Sequence, residues 1–218
     1  MQGIFVDIES NGLDCFSHKV IEVAFKMVRL ETGEIEASFE TPVNVDEQEW
    51  KRSDPKSLEV NGWKEYSLLK TAPSRWEVGK KIQRLFQSKG VHRDQSVFIC
   101  QNPSFDRPFF AQLVDTYIQE KFHWPYHWLD LASMFWACQA KSLGLPPLNR
   151  LSKDHIAKEL QIPKEAFPHK AMAGVEHLMA CYEKLIGFPA KQMRQVLQPG
   201  MAGTGVAGME ITSERKPL

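Results

Sequence analysis

The order of short apolar runs along the chain restricts its fold more than any other feature of the sequence. Residues 3–8 form a run of β-forming residues typical of a buried central strand, and apolar residues alternate from 19 to 30. Residues 34–41 are strand-like again, and residues 31–33 carry the glycine-bearing hairpin signal between the two runs. The opening of the chain therefore predicts a three-stranded antiparallel meander.

Helical patterns and short strands alternate in the rest of the chain. Ser74 and Glu77 form a capping-box signal before a helix, and strands are predicted at 96–100 and 126–129. Apolar stripes or N-cap residues predict further helices, which cover Phe109 to Ile118, Asp130 to Ser142, Ser152 to Leu160 and Val175 to Ile186. These elements predict an α/β fold, with a mixed five-stranded sheet (the meander plus parallel strands) flanked by helices.

The limits of this pattern predict the domain organisation. Residues 1–187 carry the predicted elements and are expected to form one domain. Residues 188–218 are weakly apolar and carry several glycines, so we expect a flexible or loosely packed tail. The polar, proline-bearing stretch 42–73 is expected to be irregular.

The composition of the chain excludes some classes of protein. No apolar run reaches the roughly 18 residues that would span a membrane, and the N-terminus lacks the pattern of a secretory leader. The cysteines Cys15, Cys100, Cys138 and Cys181 are far apart, which favours buried free thiols and a cytoplasmic protein. The 27 basic residues balance the 27 acidic ones, which argues against a broad positive surface for duplex DNA.

Two acidic side chains stand at the end of the first predicted strand. Asp7 and Glu9 are two residues apart, so they project to the same side of that strand. Such a pair favours a bound hard cation such as Mg²⁺, whose preferred ligands are oxygens. The alternative is a pair of solvated residues leading into a turn at Asn11 and Gly12, and for this motif alone the alternative is the better explanation.

Two further residues could act beside that carboxylate pair. Asp106 follows the strand at 96–100 and opens a helix, where the helix dipole by itself would explain an acidic residue. His169 precedes the last amphipathic helix, where it could be a simple helix-end residue. Next to a metal site, however, an imidazole is suited to take a proton from water near neutral pH.

Taken together, these segments resemble a known family. Residues 7–13 (DIESNGL) are similar to its D-x-E-T-T-G-L motif, residues 102–106 (NPSFD) to N-x-x-F-D, and residues 169–171 (HKA) to the start of H-x-A-x-x-D. The chain thus resembles the DnaQ-like (DEDDh) 3′→5′ exonucleases of the ribonuclease-H-like superfamily, with the motifs in the family's order over residues 1–187.

The resemblance implies a role for each matching residue. Asp7, Glu9 and Asp106 would hold two divalent cations, Mg²⁺ or Mn²⁺, and His169 would be the general base. The resemblance also implies substrate-binding residues around the 3′-terminal nucleotide, which are Ser10, Asn11, Gly12, Leu13, Asn102 and Phe105. The predicted activity is 3′→5′ hydrolysis of single-stranded DNA or RNA that releases nucleoside 5′-monophosphates. A homodimer or association with a polymerase would also fit this family.

One position departs from the family pattern. The fourth acidic ligand would lie five residues after His169, where this chain has Gly174. Glu176 is the nearest acid, but two residues turn a helix by about 200°, so we do not expect it to substitute. Either the enzyme stays active without that ligand, or the chain is a catalytically impaired relative that binds nucleic acid or acts as a scaffold. If the missing ligand limits metal binding, Gly174→Asp should tighten Mg²⁺ affinity and raise the cleavage rate.

A third class of function concerns the aromatic stretch at 122–128. Such a stretch could be an exposed docking patch of a protein-interaction domain, although it is more often the edge of a core because aromatic side chains bury a large area.

Overall fold

One mixed sheet organises the fold, which a computed structural model describes for residues 1–145 and 147–191. The strands are β1 (Gln2–Ser10), β2 (Val20–Arg29), β3 (Glu34–Pro42), β4 (Ser96–Cys100) and β5 (Trp128–Asp130). Their order is β3-β2-β1-β4-β5, with the first three antiparallel and β4 and β5 parallel to β1. The predicted meander, the parallel strands and the five-stranded α/β sheet are confirmed.

Helices cover both faces of this sheet. In chain order they are α1 (Glu47–Lys51), α2 (Pro55–Asn61), α3 (Tyr66–Lys70), α4 (Arg75–Ser88), α5 (Pro103–Ala111), α6 (Thr116–Lys121), α7 (Leu131–Leu143), α8 (Lys153–Glu159) and α9 (Ala171–Leu185), with a 3₁₀ turn at Leu148–Arg150. None of the helices in the described part of the chain is long and apolar enough to cross a membrane.

Side chains alternate along β1, so successive residues pack into the cores on opposite faces of the sheet. Ile4 and Val6 belong to the core that contains residues of α4 and α5, whereas Phe5 lies in the core on the α9 side. There its ring contacts Tyr182 edge-on at 5.1 Å between centroids. Because side chains alternate along a strand, Asp7 shares the side of Phe5 and is directed towards α9.

Several predicted helix starts are confirmed by their caps. Ser74 accepts from the Glu77 amide in a reciprocal capping box. Asp130 accepts from the backbone amides that open α7, and Ser152 accepts from the His155 amide. These side chains satisfy amide groups that a helix start would otherwise leave without a partner.

The expectation of an irregular stretch at 42–73 is wrong, because α1, α2 and α3 lie there. Asp46 caps α1 with a capping box, and Asp54 caps α2 ahead of Pro55. Each of these helices has only five to seven residues. A helix of that length shows too little periodicity for an apolar stripe to be recognised in the sequence.

The segment around Asp106 also differs from its prediction. The helix opens at Pro103, three residues before Asp106, and Asn102 precedes it with a left-handed φ of 60°. The stripe assigned to one helix through Ile118 is divided between α5 and α6, since Asp115 caps a new helix. The fifth strand, predicted at 126–129, begins two residues later and ends one residue later, at Trp128–Asp130.

The aromatic stretch at 122–128 forms a core edge. Trp124 is buried against Phe86, with ring centroids 4.7 Å apart, and Trp128 stacks on Phe98 at 4.3 Å. Tyr126 is half exposed. The large rings that a docking patch would need are therefore mostly used inside the domain.

The burial of the cysteines and of the segment after α9 differs in part from what the sequence predicts. All four cysteines are free, but Cys15 and Cys138 are partly exposed, so the expectation of buried thiols is wrong for these two. Phe188, just past the expected domain end, is buried beside Tyr182. Most of the expected tail, residues 192–218, lies outside the described residues.

Candidate active site

A cavity of about 320 Å³ opens at the carboxyl end of β1. Seven of the residues singled out in the sequence line it, and they are Asp7, Glu9, Ser10, Leu13, Phe105, Asp106 and His169. They come from β1, the loop after it, α5 and the loop before α9. The fold thus brings segments about 160 residues apart to one place, where crevices at the ends of parallel strands commonly bind ligands.

Asp7 and Glu9 are carboxylates in a largely buried position. The Asp7 side chain is 18% exposed, and Glu9 is 9% exposed. Burial raises the pKa of Asp7 to about 7. Burial, followed by repulsion from Asp7 and Glu22, raises the pKa of Glu9 to about 8. Glu22 contributes because it lies directly opposite Glu9 in the pairing of β1 with β2.

Asp106 reaches the same cavity from the first turn of α5. It is 4% exposed, and the amide of Ile8 in β1 donates a hydrogen bond to its carboxylate. Burial first, and then the charge of Asp7, hold the pKa of Asp106 well above its ordinary range. Three largely buried carboxylates therefore lie close together, where burial and mutual repulsion both raise their pKa values.

His169 enters the cavity from the loop that leads into α9. Its backbone amide donates to the carbonyl of Val60 at 2.9 Å, which ties this loop to the end of α2. The side chain is half-buried and lines the cavity, with the Phe167 ring 6.2 Å away between centroids. The imidazole thus lines the same cavity as the carboxylates and is accessible from it.

Three of the proposed substrate-binding residues do not line the cavity. The Asn11 side chain is fully buried and donates to the Glu49 carbonyl at 2.9 Å, which fixes the loop after β1. A Cβ at Gly12 would lie 2.2 Å from the His18 ring, so any larger residue there would require that ring to move. Asn102 is exposed, and its backbone amide donates to the Asp130 carboxylate at 3.0 Å.

Gly174 lies directly beside Asp7. A Cβ built at Gly174 would lie 2.2 Å from Oδ2 of Asp7, so the Asp7 carboxylate uses the space that a side chain at 174 would need. Glu176 does not line the cavity, and its Oε1 accepts from Lys26 Nζ at 2.6 Å on the exposed side of α9. The acid nearest in sequence is therefore engaged elsewhere.

Two charged residues of the site have no recognisable signal in the sequence. Lys153, the first residue of α8, places Nζ 2.8 Å from Glu165 Oε2 and 3.7 Å from Asp7 Oδ1. Burial alone would lower the pKa of Lys153, but the charges of Asp7 and Glu165 outweigh it and raise the pKa above its ordinary value. Glu165 lies in the connection between α8 and α9, where no periodicity predicts which side chains turn inward.

The oxygen donors of the cavity are of the type that Mg²⁺ or Mn²⁺ prefers. In residues 1–145 and 147–191, however, no three acidic, histidine or cysteine side chains are arranged to enclose an ion as they stand. Asp7 faces Gly174 with one oxygen and Lys153 with the other. Burial first, and then repulsion among neighbouring carboxylates, raises the pKa values of Asp7, Glu9 and Asp106, and a bound cation would act against both effects.

Comparison with known proteins gives matches among solved structures. No family model matches the sequence, and no curated protein matches it. The nuclease domain of 3′hExo, described as a DEDDh family member bound to rAMP, aligns with a TM-score of 0.65 at 12% identity and covers 87% of this chain and 94% of that one. The chain shares its fold, a mixed five-stranded sheet flanked by helices, with this nuclease domain.

Two more solved structures share this fold. Cell-death related nuclease 4 (CRN-4) aligns with a TM-score of 0.67 at 14% identity, covering 87% of this chain and 65% of its own. E. coli exonuclease I, in a zinc-bound complex with single-stranded DNA, aligns with a TM-score of 0.65 at 18% identity and covers 91% of this chain. This chain spans 41% of that exonuclease I structure.

The raised pKa values predict how stability depends on pH when no metal is added. A carboxyl whose pKa is higher in the folded than in the unfolded chain stabilises the fold only at low pH, and this contribution is lost as pH rises through the folded value. For Asp7 and Glu9 the loss falls between about pH 4 and pH 8. We expect the melting temperature in EDTA to be several degrees lower at pH 9 than at pH 5, because each kcal/mol corresponds to about 2–4 °C in a domain of this size.

The control for this measurement is the same pair of melting curves with Mg²⁺ in place of EDTA. A cation bound to the carboxylates stabilises the folded chain and should remove most of the difference. The surface carboxyls with lowered pKa values, such as Glu36, lose their contribution at lower pH and do not affect this window. A melting temperature in EDTA that is constant or rises from pH 5 to pH 9 would contradict the prediction.

Proposed function

We propose that this protein is a metal-dependent 3′→5′ exonuclease that releases nucleoside 5′-monophosphates from single-stranded DNA or RNA. The observation that carries the proposal is the convergence of Asp7, Glu9, Asp106 and His169 on one cavity. The exonuclease fold supports it, and so do neighbours in that fold described with single-stranded DNA and with rAMP.

Five of the residues that line the cavity have a role in this proposal. Asp7, Glu9 and Asp106 would hold Mg²⁺ or Mn²⁺, which supplies charge stabilisation at the phosphate and lowers the pKa of the attacking water. His169 would accept the proton from that water, as its place at the cavity wall allows. Leu13 is 75% exposed at the cavity wall, and we propose that it packs against the terminal base.

The same geometry supports a second candidate function. No acidic side chain stands at Gly174, and no three acids already form a metal cage in the described residues. A relative that binds single strands without cutting them would need only the cavity and its rim. An imidazole in the same cavity as the carboxylates favours the enzyme, because a binding module has no use for a base there. The homodimer and the polymerase association stay predictions.

A digestion experiment separates these functions. The purified chain is incubated with 5′-labelled single-stranded DNA and RNA of matched sequence, with Mg²⁺, Mn²⁺ or EDTA. The enzyme is expected to shorten the strand from its 3′ end, to release mononucleotides and to stop in EDTA. Binding of the strand without shortening in either metal would support the second function instead. The relative rates on the two strands give the sugar preference, since RNA differs by its 2′-hydroxyl.

A further inference from the structure

Lys153 places a positive charge among the carboxylates of the cavity. Its Nζ lies 2.8 Å from Glu165 and 3.7 Å from Asp7, and its side chain is 18% exposed. The other lysine at the cavity, Lys56, is 74% exposed and pairs with Glu59 at the rim. Of the described lysines that line the cavity, Lys153 is thus the one held against the buried acids.

Glu165 holds this lysine in place. Its side chain is 4% exposed, and Oε2 accepts the Lys153 ammonium. The other oxygen, Oε1, is buried and has no hydrogen-bond partner among the described residues. Burying a carboxylate with one unpaired oxygen costs free energy. We therefore expect such a group only where it attracts a nearby positive charge. Here the charges within reach are Lys153 and whatever cation enters the cavity.

The number of carboxylates in the cavity indicates how many divalent cations it holds before substrate binds. Apart from Asp54, which caps α2, the lining acids are Asp7, Glu9, Asp106 and Glu165. One divalent ion and the ammonium together carry three positive charges against these four carboxylates. Two divalent ions and the ammonium would carry five, so without substrate a second ion would leave the cavity with one positive charge in excess.

The position of Gly174 also favours a single divalent ion in the cavity. The Asp7 carboxylate leans over Gly174, and its second oxygen faces Lys153. The side of the cavity next to α9 therefore has an ammonium and no acid from α9 itself. An ammonium has three N–H donors. One of them binds Glu165, and the remaining N–H groups are available to donate to a phosphate oxygen in the cavity.

We propose that the Lys153 ammonium, anchored by Glu165, takes the place of one of the two divalent cations that the family resemblance implies, so that this site works with a single bound metal ion. The inference rests on the proposed exonuclease function and changes the number of metal ions in it. Lys153 would be a fixed cation beside the scissile phosphate.

The test is the number of Mn²⁺ ions bound by the whole chain. Equilibrium dialysis and electron paramagnetic resonance of free Mn²⁺ are used, with and without a saturating nucleoside 5′-monophosphate. The wild type should bind about one Mn²⁺ per chain, and its cleavage rate should rise with the first power of Mn²⁺ concentration. Lys153→Met should bind about two, and its rate should rise with the second power. Lys164→Met, an exposed lysine paired with Asp154, should behave as the wild type.

The outcomes separate this inference from the function on which it rests. Two Mn²⁺ ions per wild-type chain with cleavage intact would overturn the inference alone, as would a Lys153→Met variant that still binds one. No bound Mn²⁺ and no cleavage would overturn the exonuclease function itself. If Lys153→Met does not fold, Lys153→Arg keeps the charge and should keep the stoichiometry of one, and two ions in that variant would count against the inference.

Discussion

Replacing Asp7 by asparagine should reduce shortening of a single strand by at least about 100-fold, since even indirect partners of a metal site typically contribute 10- to 100-fold. Asp7 stands at the centre of the site, between Gly174 and Lys153. The amide keeps the shape of the side chain and removes its charge. The measurement is the initial rate on a 5′-labelled strand in saturating Mg²⁺ or Mn²⁺.

The same variant should be more stable than the wild type at pH 8 in EDTA. Burial raises the pKa of Asp7 to about 7, so the folded wild type carries an unfavourable charge above that pH, and asparagine does not. We expect a gain of more than about 1 kcal/mol in the free energy of unfolding, which disappears near pH 4. Lost activity with unchanged or higher stability separates a functional role from damage to the fold.

The matched control is Asp94→Asn, the same change at an acid that is 78% exposed and pairs with His92 away from the cavity. It should leave both the rate and the stability near wild type, as exposed ion pairs contribute little. An Asp7→Asn variant that retains a tenth or more of the wild-type rate would show that the carboxylate of Asp7 does not serve the reaction.

The sheet could be predicted from the sequence because its signals are local. The buried run of β1, the hairpin before β3 and the capping box at Ser74 each depend on residues within a few positions of one another. The carboxyl end of β1 is also a local property of the chain, so the place of Asp7 and Glu9 followed from the strand itself.

The electrostatics of the site could not be predicted in this way. Lys153 and Glu165 meet because α8 packs into the core on the α9 side of the sheet, and their 2.8 Å contact depends on that packing. No short pattern specifies which side chain of an irregular connection turns inward. The same holds for Gly174, where the sequence shows a missing acid and the structure shows that Asp7 leans into the freed space.

Gly174→Ala should lower the cleavage rate by about 10- to 100-fold, although it adds only a methyl group. The new Cβ would lie 2.2 Å from Oδ2 of Asp7, a distance at which the carboxylate must move. A displacement of about 1 Å at a reacting centre can cost about 100-fold in rate. The substitution would otherwise favour the helix, since alanine is better than glycine in a helix interior by about 1 kcal/mol.

Glu176→Ala on the same helix is the control for this variant. Glu176 is 60% exposed, pairs with Lys26 and lies outside the cavity, so its removal should leave the rate near wild type. A wild-type rate for Gly174→Ala would mean that the position of Asp7 over Gly174 is not important for cleavage.

Gly174→Asp has to be judged against Gly174→Ala, because both variants bring the same Cβ against Asp7. The sequence alone predicts that the added acid improves on the wild type, whereas the contact with Asp7 predicts a steric penalty that the alanine variant measures separately. We expect Gly174→Asp to bind Mg²⁺ more tightly and to cleave faster than Gly174→Ala, as measured by calorimetric titration and initial rates. Equal affinities in the two variants would mean that a carboxylate at 174 cannot reach the ion, and that Glu165 and Lys153 already take up that side of the site.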